Sequence, residues 1–79
     1  MTRNAMVYNI LMTWDQDAAV WVATSDDVPG LVLESGSFDA LIERVKYAVP
    51  ELMELNHKNA PAYHLSFSSK RSDMVLANG

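Results

Sequence analysis

Six carboxylates fall within the first half of the chain: Asp15, Asp17, Asp26, Asp27, Glu34 and Asp39. Two or three of them gathered at one point would hold Mg²⁺ and orient a water for phosphodiester cleavage, the chemistry of a nuclease. Their local context argues against that use. The first four lie in turn-like stretches and Asp39 opens a helical pattern, places where aspartate ordinarily bonds its own backbone. None stands in the middle of a strand that would fix a metal rigidly, so no metal is expected. The two histidines, His57 and His64, match no zinc spacing, and the chain has no cysteine to complete a set. Ser66, Ser68, Ser69 and Ser72 lack the G-x-S-x-G surround of an activated nucleophile. Of the three glycines, none precedes the Lys-Ser or Lys-Thr pair of a phosphate-cradling loop. The expectation is a chain without catalytic residues, metal or cofactor.

Size and charge narrow the classes further. A domain of 79 residues buries only a little over ~60% of the surface its unfolded chain exposes. With no disulfide available, a stable margin has to come from tight packing or from association with another chain. Lys and Arg number 6 against 10 Asp and Glu, a formal net charge of −4. That balance does not supply the broad positive field that nucleic acid demands. It suits a basic partner instead. Lys70 and Arg71, with Lys58 upstream, form the only basic cluster. No apolar run approaches the ~18 residues of a membrane span. The stretch from Met6 to Trp14 carries Asn9 within it and Asp15 behind it, so it reads as a strand of a cytoplasmic protein.

Five elements position these residues. In "MVYNILMTW", Met6 to Trp14, the large apolar side chains Met6, Tyr8, Ile10, Met12 and Trp14 share one parity, the mark of a strand with one buried face. A turn at Asp15–Ala18 leads to a second strand, Ala19–Thr24, and the short connection predicts a hairpin. The stretch "SDDVPG", Ser25–Gly30, is a tight bend, with Pro29 fixing φ and Gly30 tolerating positive φ. A third strand follows at Leu31–Glu34. Ser37 stands where a helix N-cap belongs.

The helix runs over Phe38–Asn56, its apolar stripe being Phe38, Leu41, Ile42, Val45, Ala48, Val49, Leu52 and Leu55. Pro50 is expected to kink or split it. A last strand, Ala62–Ser68, turns Tyr63, Leu65 and Phe67 one way and His64, Ser66 and Ser68 the other. Residues 70–79 have no clear period and read as a flexible C-terminal tail after a single domain over 1–69.

A meander of three strands followed by a crossover through the helix gives an α+β fold, β-β-β-α-β, with a four-stranded mixed sheet in the order 3-2-1-4. One helix covers one face. The other face is bare, and residues such as Val7, Leu11, Trp21 or Ala23, depending on register, would leave it too apolar for water. A second polypeptide is expected to cover part of it.

The hairpin and loop "WDQDAAVWVATSDDVPGLVLES", running into the helix "FDALIERVKYAVPELMELN", resemble the HicB family of antitoxins, in particular short HicB-related proteins of unassigned function. The parallels are an acidic turn before an aromatic strand (Asp15, Asp17, Trp21), a D-x-P-G loop (Asp27, Pro29, Gly30), a polar N-cap and an amphipathic helix. They extend over about Tyr8 to Phe67. The resemblance implies a partial ribonuclease-H-like fold without that fold's catalytic carboxylates. It also implies self-association and occlusion of a small basic RNA-cleaving toxin. HicB proteins often carry a further DNA-binding module, which the ten or so residues after the last strand are too few to build, so no direct nucleic-acid binding is expected.

The sequence reading is therefore a non-catalytic protein-binding module. Asp15, Asp17, Asp26 and Asp27 are its acidic contacts for a small basic toxin-like partner, and Trp21 is its apolar anchor. The alternatives are a self-associating structural domain, a dimer or larger, and a residual nuclease using the carboxylates.

Overall fold

The structure, a computed structural model, describes residues 6–78. Residues 1–5, the start of the expected domain, lie outside them. The elements are β1 (Val7–Asp15), β2 (Val20–Thr24), β3 (Val32–Ser35), α1 (Phe38–Leu55) and β4 (His64–Lys70). The sheet order is β3-β2-β1-β4. β1 pairs antiparallel with β2 and parallel with β4, and β2 pairs antiparallel with β3. The α+β arrangement read from the sequence is the arrangement of the protein. β1 is an inner strand, which is why its alternation is the sharpest: Tyr8, Ile10 and Met12 are buried against the helix.

The helix begins as its cap demands. Ser37 has extended backbone, and its hydroxyl accepts from the Ala40 N–H at 3.1 Å. Pro50 does not split α1, which is continuous across it. The proline and Lys46, whose carbonyl loses its partner, both face solvent, where water satisfies the freed oxygen. At the other end Lys58 donates to the Met53 carbonyl at 2.8 Å and His57 to Glu54 at 3.0 Å. His57 takes the left-handed conformation, φ 56°, so the helix closes in a Schellman motif without glycine.

Leu41, Val45, Val49 and Met53 form the buried stripe, each one turn beyond the last. They meet Tyr8, Ile10 and Met12 from β1 and Ala23 from β2, together with Val28 and Leu31 from the bend. Two residues depart from the expected stripe. Met53 is in the core, whereas Leu55 is 75% exposed. The cause is the shortness of β3: four residues starting at Val32 do not reach far enough to cover the flank of the last helical turns.

The register also settles the two faces. Trp21 and Ala23 point to the helix side, opposite Trp14 and Met12, so they do not contribute to the bare face. That face carries Val7 and Leu11, as expected, together with Asn9, Thr13, Val22, Thr24, Val32, Glu34, Ser66 and Ser68. No helix among the described residues is long and apolar enough to cross a membrane.

Candidate protein-binding face

The bend between β2 and β3 is built by the acids and the proline together. Leu31 N–H bonds the Val28 carbonyl at 3.2 Å, with Gly30 at φ 85°. This is a type II turn with proline and glycine at its two central places. The turn buries Val28 completely, which pins the loop to the core. A Cβ on Gly30 would meet a Leu52 methyl at 3.4 Å, and the positive φ would strain it further.

Asp27 and Ser25 continue the sheet where β2 has stopped. The Asp27 carboxylate accepts from the Asn9 backbone N–H at 2.7 Å, and Ser25 Oγ donates to the Asn9 carbonyl at 2.6 Å. Ser25 Oγ in turn accepts from Asp27 N–H at 3.0 Å. Two side chains thus take the place of a strand partner for one residue of β1. Asp27→Ala removes a charge-assisted bond of a kind that contributes about 1.5–3 kcal/mol, and the solvent exposure of this one puts the expected loss at the lower end. Urea unfolding would read it, with Asp27→Asn, which keeps an acceptor, losing less than half as much.

Asp15 has a similar local duty. Its Oδ1 accepts from the N–H groups of Asp17 and Ala18 at 3.1 and 3.2 Å, closing the hairpin turn that ends with Ala19 at φ 56°. Asp17 and Asp26 are exposed. The two acidic pairs are not brought together: Asp27 is fixed to Asn9, six residues along β1 from Asp15, a separation of about 20 Å. Among the described residues no group of three or more histidines or carboxylates is placed to hold a metal ion.

Trp21 sits at the hairpin end on the helix side. Its ring packs against Trp14 at 5.3 Å between centroids and edge-on against Phe38 at 4.8 Å. Arg71, just beyond β4, lies over the Trp14 ring at 4.3 Å. The row is half-buried and holds the hairpin to the start of the helix.

The uncovered sheet face has its own chemistry. Leu11 (41% exposed) and Val7 (53%) lie on β1, with Val22 on β2 and small hydroxyls at Thr13, Thr24, Ser66 and Ser68 around them. Acids stand at its margins: Asp15 at the end of β1, Glu34 across from Val22, and Asp26 and Asp27 beside Asn9. Lys70 and His64 lie at the β4 side. A shallow polar pocket of about 250 Å³ opens between Asn9, Leu11, Thr24, Asp26, Asp27 and Ser68. Sequence alone missed Asn9, Ser25 and Glu34 as parts of this face. Their only signal is strand parity, which becomes informative once the pairing is known.

An apolar centre with an acidic rim, on a sheet that among the described residues has a helix on one side only, defines a small α+β domain with one uncovered face. The chain belongs to a family described as a domain of unknown function (DUF1902), whose model matches residues 7–77. It is similar in structure to hypothetical protein TTHA1013 of the extremely thermophilic bacterium Thermus thermophilus. The TM-score is 0.70 and the identity 31%, over 90% of this chain and 99% of that one. No curated protein matches the chain.

Proposed function

We propose that this domain is a non-catalytic, cytoplasmic protein-binding module of the HicB-like kind. In this reading it docks a small basic RNA-cleaving partner on its uncovered sheet face and blocks that partner's access to RNA. The observation that carries the reading is the composition of the face, an apolar patch at Val7, Leu11 and Val22 bordered by Asp15, Glu34, Asp26 and Asp27. Apolar contact at the centre supplies affinity, and the acidic rim steers a basic partner and fixes its orientation. The overall charge of −4 acts in the same direction.

Asp15 and Asp27 serve twice in this reading. One oxygen of each holds the backbone, while the exposed remainder of the carboxylate presents charge to the partner. Asp17 and Asp26 add charge without a structural duty. Trp21 is reassigned from contact to support, since its packing on the helix side orients the hairpin that carries Asp15 and Asp17.

The test uses the product of a short neighbouring reading frame that encodes a basic protein. Its RNA cleavage is expected to stop on addition of this chain in equal amount. Leu11→Lys, which puts a cation at the centre of the face and leaves the core untouched, is expected to restore cleavage and to cost about 2 kcal/mol in affinity, about 30-fold in Kd. Cleavage unaffected by the chain, or suppressed equally by Leu11→Lys, contradicts the proposal.

A further inference from the structure

The segment after β4 makes little use of its own chain. Arg71 is held by Trp14 and pairs with Asp73 at 3.0 Å. Beyond it, Met74, Val75 and Leu76 are 85, 88 and 69% exposed, three consecutive large apolar side chains in a stretch without secondary structure. The molecule measures 59 × 27 × 19 Å, with a radius of gyration of 15.4 Å, against about 12 Å for a compact chain of this size. A nine-residue strand and an 18-residue helix each span only about 27–30 Å. The remaining length matches an extended segment over 71–78, whose reach is up to ~26 Å. The segment projects from the body.

On the opposite edge of the sheet lies an open apolar groove. Ala48, Leu52 and Leu55 form one flank of α1, and Leu33 with Val32 of β3 forms the other wall. Its volume is about 480 Å³, roughly three times the ~150 Å³ void left by truncating one buried leucine. It is the place where β3 is too short to cover the helix. Among the described residues no strand pairs with the outer edge of β3, and Arg44 bonds the Glu34 carbonyl at 2.7 Å. This blunts the Ser35 end and leaves the Val32 end open.

We infer that residues 73–76 of one copy add as a short strand to β3 of a second copy, with Met74 and Leu76 filling the β3–α1 groove. Alternation along a strand puts Met74 and Leu76 on the groove side and Val75 on the other, beside the exposed Val32. The occupant is a second copy for two reasons of geometry. The segment leaves from β4, at the far edge of the sheet from β3, and it leaves beside Thr13 and Trp14, at the hairpin end. The groove lies towards the last turns of the helix, at the other end. The segment therefore points away from its own groove.

Charge adds a smaller term, with Glu51 and Glu54 on the groove rim and Lys70 at the root of the segment, while Arg71 already neutralises Asp73. Exchange in both directions closes a two-fold dimer. Met74 and Leu76 in the groove and Val75 against Val32, counted on both copies, bury on the order of 1,000 Å², which reaches the lower range of specific interfaces. The groove and the uncovered sheet face meet only at Val32, and the substitutions below leave Val7, Leu11 and Val22 untouched, so this dimer is tested independently of the basic partner proposed above.

Sedimentation of the full chain tests it, from low micromolar to several hundred micromolar. The wild-type chain is expected to be a dimer. Met74→Asp with Leu76→Asp in one variant, and Leu55→Asp in another, are each expected to raise the dimer dissociation constant at least ~30-fold with unchanged circular dichroism. The first variant touches nothing in the core, so it remains decisive if the second fails to fold. A wild-type monomer throughout the range overturns the inference. So does a dimer that survives both aspartates in the segment, which would mean that another face holds the copies together.

Discussion

Ile10→Ala leaves the domain only marginally stable, with a substantial unfolded fraction in dilute solution. Ile10 is wholly buried on the inner strand β1, paired with Phe67 of β4, in the core that the helix residues Leu41, Val45 and Val49 close. Truncating such a side chain removes its transfer free energy and leaves a void that close-packed neighbours fill only in part, a loss of about 3–4 kcal/mol. A core of this size supplies about 3–5 kcal/mol of net stability in all. One substitution therefore consumes nearly the whole margin. Ile10→Val, which deletes a single methylene, costs about 1 kcal/mol and leaves a folded protein. Urea titration followed by circular dichroism reads both. An unchanged midpoint for Ile10→Ala would mean that the helix does not cover β1 as described.

Trp21→Ala has the next largest effect, about 2–3 kcal/mol. A fully buried tryptophan costs about 3–5 kcal/mol to truncate, and the half-buried position of Trp21 reduces that. The loss combines apolar area with two aromatic contacts, to Trp14 and to Phe38, of about 0.5–1.5 kcal/mol each. The tilted indole pair, its rings 60° apart, gives a second readout, since its coupled circular-dichroism band disappears when either ring is removed. Because Trp21 faces the helix, the folded fraction of Trp21→Ala keeps its affinity for a partner on the bare face. A large loss of affinity at full folding would instead make Trp21 a direct contact.

These two sites show how far the sequence could be read. The alternation of Tyr8, Ile10 and Met12 belongs to a strand buried on one side only, and no other element competes for that pattern, so the core face of β1 is plain in the sequence. Ser37 and the Pro29–Gly30 pair are equally local signals, each specifying its own backbone. Trp21 is different. Its parity within β2 is visible, but which parity faces the helix depends on the pairing Trp14↔Trp21, a relation between strands. Asp27 shows the same limit more sharply. Its loop role is local, yet its partner is the backbone of Asn9, 18 residues away, and only the completed sheet brings the two together.

The helix stripe failed at its end for a similar reason. Leu52 and Leu55 lie on one apolar arc, and the length of β3 decides where cover stops. The segment Met74–Leu76 has no period, and its three large side chains stand exposed on their own chain. Absence of pattern in an apolar stretch is what a segment awaiting a partner would show.

The central claim, that the uncovered sheet face receives a basic protein, is tested most directly by mapping amide chemical shifts of the labelled chain as the basic neighbour is added. Shifts are expected to concentrate at Asn9, Leu11, Val22, Glu34 and Ser68, with the buried helix stripe Leu41–Val49 unmoved. Shifts centred on the exposed side of the helix, or none at saturating concentration, would contradict it.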